Sequence, residues 1–94
     1  MSKSVTKSMA VKTLKAIEVA FASWVQEGYG PKLLEDWDGI DFAIVWEEGA
    51  PYGWTQLIGG GIEEEFGFKV PAAKIPATVW TEAVNSCVVG IYRV

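Results

Sequence analysis

Residues 41–58, DFAIVWEEGAPYGWTQLI, open with five apolar residues in succession after Asp41, Phe42 to Trp46, and continue through a segment punctuated by Gly49, Pro51 and Gly53. Aromatic and β-branched residues bounded by Gly and Pro mark a strand followed by a turn. The stretch is expected to form a β-hairpin from Asp41 to Ile58. Its first strand is apolar at every position and so needs cover on both faces. Its second strand returns through Trp54.

Upstream, Ala10, Leu14, Ile17, Phe21 and Trp24 with Val25 recur at spacings of four and three. That period places them on one side of an amphipathic α-helix, expected over residues 5–27 and packed on the sheet. Ser4 is a candidate N-cap, and Gly28, with Gly30-Pro31 beyond it, is the expected stop. Between helix and hairpin, PKLLEDWDG (residues 31–39) fits a helical turn and a short edge strand equally well, and Asp38-Gly39 is a turn signal.

Downstream, Gly59-Gly60-Gly61 leads into Ile62-Glu63-Glu64-Glu65-Phe66-Gly67, a turn followed by one short helix or extended segment. From Phe68 to Pro76 two prolines exclude a central strand and predict an extended crossing. Val79–Val84 and Cys87–Val94 flank Asn85-Ser86, which predicts a second hairpin with a two-residue turn and Asn at positive φ. The fold class expected is α+β: one long N-terminal amphipathic helix on an antiparallel sheet of about four strands, a single domain over residues 1–94.

Composition narrows function mainly by exclusion. Half of the residues are hydrophobic and 21% are charged, which is ordinary globular balance. The net charge of −4 is uneven, because Lys3, Lys7, Lys12 and Lys15 lie in the first 17 residues, where there is no acid, and put +4 on a body of −8. An acidic body argues against binding a phosphate backbone, so no nucleic-acid partner is expected. The lysine face reads either as a solvated surface or as a contact for an acidic partner. With no apolar run near the roughly 18 residues of a membrane span, and with a lone Cys87 that fits a reducing compartment, a cytoplasmic protein with no membrane partner is expected.

No histidine is present, so neither Ser-His-Asp nor Cys-His nucleophilic machinery can be built. One cysteine without histidine also leaves no zinc site of the usual kind. Asp36, Asp38 and Asp41, with Glu47 at position twelve counted from Asp36, imitate a calcium loop, but Glu47 falls in a run suited to a sheet ladder. The triglycine turn lacks the Lys and Ser/Thr of a nucleotide loop, and three carboxylates follow it. No catalytic residue, metal or cofactor is expected. Glu47 and Glu48 beside Tyr52 and Trp54 resemble a carboxylate pair for glycoside chemistry in composition only, since neighbours on a strand point to opposite faces.

The same four residues, Glu47, Glu48, Tyr52 and Trp54, are the candidate partner-binding site, because Tyr and Trp on a loop are common interface anchors. The competing reading is that Trp46 and Trp54 face each other across the hairpin and close the edge of the core.

The run IVWEEGAPYGW, Ile44 to Trp54, with PATVWTEAVNSCVVGIY, Pro76 to Tyr92, resembles small proteins encoded by phages of actinobacteria. Ala50 and Gly53 depart from the tighter form of that pattern. The resemblance implies no activity; it implies a folded accessory protein of a phage or prophage, a class in which many members bind and modulate a host protein. The expected function is a non-enzymatic protein-binding module, with a structural or self-associating component and a small carboxylate-dependent enzyme as alternatives. The oligomeric state is open at this level.

Overall fold

Thr6 begins the helix. Its backbone is extended, and its hydroxyl accepts the Met9 N–H at 3.2 Å, satisfying one of the donors that a helix start leaves free. The computed structural model describes residues 4–94, so Lys3 lies outside the described residues, and Ser4 precedes the cap. Helix α1 runs Lys7–Ala20, 14 residues, and ends well short of Gly28. After it the chain tightens: Ala22 N–H donates to Val19 O and Trp24 N–H to Phe21 O. This brings Phe21 and Trp24 edge to face, ring centroids 6.1 Å apart, and aims Phe21 at Trp46. Burying Phe21 in the aromatic core therefore ends the helix before its sequence period runs out.

The buried stripe of α1 is Ala10, Thr13, Ile17 and Ala20, while Leu14 and Trp24 are half-buried against the core. Thr13 is tolerated there because its hydroxyl donates to the Met9 carbonyl at 2.8 Å.

Strand β1 is Lys32–Trp37 and β2 is Ile40–Val45, paired antiparallel with Trp37 opposite Ile40. Asp38 and Gly39 between them have φ of 50° and 78°. Two successive positive φ values make the tight primed turn whose twist matches that of the flanking strands. The expected hairpin over Asp41–Ile58 is thus corrected. Its first strand exists, but the partner lies upstream, in the segment that fitted helix and strand alike. Trp54–Gln56, where a return strand was expected, is a single 3-10 turn entered through Gly53 at φ 72°.

Strands β3, Gly61–Glu63, and β4, Phe68–Val70, form a small separate hairpin. Gly60 is obligatory before it, since its φ is 85° and a Cβ would stand 2.8 Å from the Ala72 backbone nitrogen. The crossing expected over Phe68–Pro76 therefore begins as a strand of this hairpin.

Strands β5, Val79–Ala83, and β6, Val88–Arg93, form the hairpin expected over Val79–Val94. Its loop has four residues, 84–87, rather than two. Val84 N–H donates to Val88 O, and Asn85 acts through its side chain, whose Oδ1 accepts the Cys87 N–H at 2.8 Å, without positive φ.

The molecule is α+β, with a four-stranded antiparallel sheet in the order β1-β2-β6-β5, the β3–β4 hairpin and the one helix. β2 and β6 are central. The helix, the 3-10 turn and the β3–β4 hairpin all gather on the face of Ile44, Val89 and Ile91, where the core forms. Ala43 and Val88 are buried as well, yet stand outside that cluster, on the opposite face. Among the described residues no element forms a second layer on that face. Its cover comes from its own side chains: Tyr92 folds down so that a Cβ on Gly90 would meet its hydroxyl at 2.6 Å, and Trp80 stacks on Tyr92 at 4.6 Å with 26° between the rings. The expectation that Phe42–Trp46 is covered on both faces is met by a layer on one and by neighbouring side chains on the other.

Candidate functional site

β2 ends at Val45, and Trp46 beyond it keeps the side-chain alternation of Phe42 and Ile44. Trp46 turns into the core, and its indole N–H donates to the Tyr29 carbonyl at 2.7 Å. The Trp46 carbonyl in turn accepts the indole N–H of Trp54 at 3.1 Å. This relay pins the loop after β2 to the segment before β1. Trp54 is 1% exposed, its ring 5.7 Å from that of Trp46 and 6.4 Å from that of Phe21. Of the two readings of the loop aromatics, the position of Trp54 is the core one.

Tyr52 is placed differently. It is 60% exposed and meets the equally open Phe66 edge to face at 5.3 Å. Glu47 and Glu48 are both exposed. Because they lie beyond the strand, they do not diverge as strand neighbours would: both border one depression of about 350 Å³, opposite Lys32 and Tyr29. Neither is in an ion pair, since the single such pair among the described residues is Lys7 to Glu35 at 2.8 Å.

Glu47 borders two further depressions. One, about 670 Å³, is a groove between Tyr52 and the β5–β6 turn at Val84, Asn85 and Cys87, with Trp54 in its floor. The other, about 530 Å³, lies at the end of the uncovered sheet face and is walled by Leu34, Trp37, Val45 and Val88. Three hollows thus meet at one residue, Glu47. Trp37, Asn85 and Cys87 are the members that sequence reasoning did not select. The signal for Trp37 was its place beside the Asp38-Gly39 turn; Cys87 enters through a ladder bond from Trp46 N–H to its carbonyl at 3.0 Å, which no local pattern reveals.

No family model matches this chain, and no curated protein or solved structure gives a significant match. The site therefore stands on its geometry. Among the described residues no group of three or more His, Cys, Asp or Glu is arranged to hold a metal ion, and Asp36 and Asp38, at φ 53° and 50°, serve the β1–β2 turn. No helix among them is long and apolar enough to cross a membrane.

Proposed function

We propose that this chain is a non-enzymatic protein-binding module whose docking surface centres on Glu47, with Glu48 and Tyr52 at its edge. The observation that carries the reading is the meeting of three hollows at Glu47, an exposed residue with no ion-pair partner among the described residues, one hollow being continuous with an apolar sheet face that no described element covers. An exposed apolar patch rimmed by polar groups is the ordinary form of a protein contact. The partner's complementary chemistry is a lysine or arginine flanked by apolar side chains. In the setting that the resemblance to phage proteins implies, the partner is a host protein and the chain a phage or prophage accessory.

A carboxylate enzyme is the weaker reading, because Glu47 and Glu48 stand in open hollows that do not exclude water from a reacting group. The test is capture from a host lysate on the immobilised chain, repeated with Glu47→Lys. A stoichiometric partner held by the native chain and lost by the variant supports the assignment. Equal capture by both moves the contact elsewhere.

A further inference from the structure

Far from Glu47 in sequence, α1 and the segment after β4 enclose an apolar groove of about 390 Å³ between Ala16, Val19, Ala20 and Ala72, with Lys12, Lys15 and Lys74 along its rim. Val19 in its wall is 76% exposed. Three ammonium groups around an apolar floor select a ligand that is acidic and carries an apolar side chain; in an otherwise acidic molecule this is a marked reversal of sign.

The same molecule presents that chemistry at the turn between β3 and β4. Glu64 and Glu65 are exposed and take part in no ion pair among the described residues, and Phe66 beside them is 64% exposed. The turn is held closed. Gly67 N–H donates to Glu63 O at 2.9 Å, and the buried Glu63 carboxylate accepts the Phe66 N–H. It is a rigid acidic knob with an aromatic tip.

The knob cannot enter its own groove. Pro71 and Ala72 of the groove follow directly on β4, so knob and groove lie at opposite ends of a hairpin whose three-residue strands span about 10 Å. We propose that the Lys12, Lys15 and Lys74 groove receives the Glu64-Glu65-Phe66 knob of a second copy of this chain. Groove and knob are different patches, so two copies can exchange knobs reciprocally in a closed dimer, or the contact can run head to tail into a ring or a filament, as the rotation between copies dictates. Association weakens with salt, because the exposed charges act over about 30 Å at 0.01 M salt and about 3 Å at 1 M. The proposal does not rest on the Glu47 surface, although Phe66 meets Tyr52 at the edge of that surface.

Light scattering across concentration reads it directly. At about 0.01 M salt the mass is expected to climb with concentration to the dimer or beyond, and at about 1 M to fall to the monomer. The groove variant Lys12→Glu with Lys15→Glu, and the knob variant Glu64→Lys with Glu65→Lys, are each expected to associate at least tenfold more weakly. Mixed in equal amounts they retain one good groove and one good knob between them, and should form a 1:1 complex and nothing larger. Phe66→Ala, which alters no charge, should also weaken association at least tenfold, while Glu47→Gln leaves it unchanged. A native chain that stays monomeric at low salt overturns the proposal. So does a mixture of the two variants that remains monomeric, or a groove that takes a free acidic peptide while the chain itself does not associate.

Discussion

The indole N–H of Trp54 donates to the backbone carbonyl of Trp46 inside the core, 3.1 Å away, so the loop between them is anchored by its own aromatic residue. Removing a buried tryptophan side chain costs about 3–5 kcal/mol. Trp54→Ala should therefore lower the melting temperature by 10 °C or more, a domain of this size shifting by roughly 4–8 °C per kcal/mol. Trp54→Phe keeps most of the apolar area and loses the hydrogen bond, and should cost about 1–2 kcal/mol. Melts followed by circular dichroism distinguish the cases, and an unmoved transition for Trp54→Ala would remove that residue from the core.

Tyr52 should behave in the opposite way. Its exposed ring touches Phe66, so Tyr52→Ala is expected to change stability by no more than about 0.5–1 kcal/mol. Partner affinity should drop at least tenfold, about 1.4 kcal/mol, by titration calorimetry with whatever protein is captured. Glu47→Gln should produce a similar loss together with a shallower dependence on salt. A binding curve indifferent to both changes would dismiss this surface.

Gly90 and Tyr92 give a test of the uncovered sheet face. A methyl at Gly90 would collide with the far end of the Tyr92 ring, a group free to swing outward. Gly90→Ala is thus expected to leave the fold intact at a cost of about 1 kcal/mol and to separate Tyr92 from Trp80. The near-ultraviolet dichroism of the stacked pair should diminish. An unchanged aromatic spectrum would mean that the ring does not lie over Gly90.

Helix content provides a fourth check. With α1 at 14 of 94 residues, far-ultraviolet dichroism should report a helical fraction near one in seven, below the roughly one-third typical of globular domains. A value near one-quarter would restore the longer helix that the period of residues 5–27 predicts, 23 of 94 residues.

That discrepancy shows where sequence is informative. The periodicity placed the helix and most of its buried side, because Ala10, Ile17 and Phe21 answer to a local rule. It overran the end because the tightening after Ala20 serves contacts with Trp46 and Trp54, which lie far along the chain. Strand β2 was legible as a strand, but its neighbour was not. Leu33-Leu34 breaks alternation and Asp36 has positive φ, so β1 carries no clean period of two. The Asp38-Gly39 turn was the decisive signal, and it joined the strand before it to the one after.

The candidate site was legible to the extent that its members are consecutive. Glu47, Glu48 and Tyr52 are surface residues of one loop. Trp54 was misleading for a physical reason: a loop rich in Gly and Pro reads as solvent-facing, and only the docking of Phe21 gives its tryptophan an interior to enter. Trp37 reaches Glu47 from β1 and Cys87 from the β5–β6 turn.

The position of β6 between β2 and β5 also sets a timetable for synthesis. Val45 pairs with Val88, so the inner edge of β2 must wait about forty residues for its partner after the β1–β2 hairpin has emerged. At 5–20 residues per second this is about 2–8 s during which Phe42–Val45 shows an unpaired apolar edge to solvent or to a chaperone. A stall anywhere before Val88 leaves a nascent chain that lacks the middle of its sheet and has no folded state to retreat to.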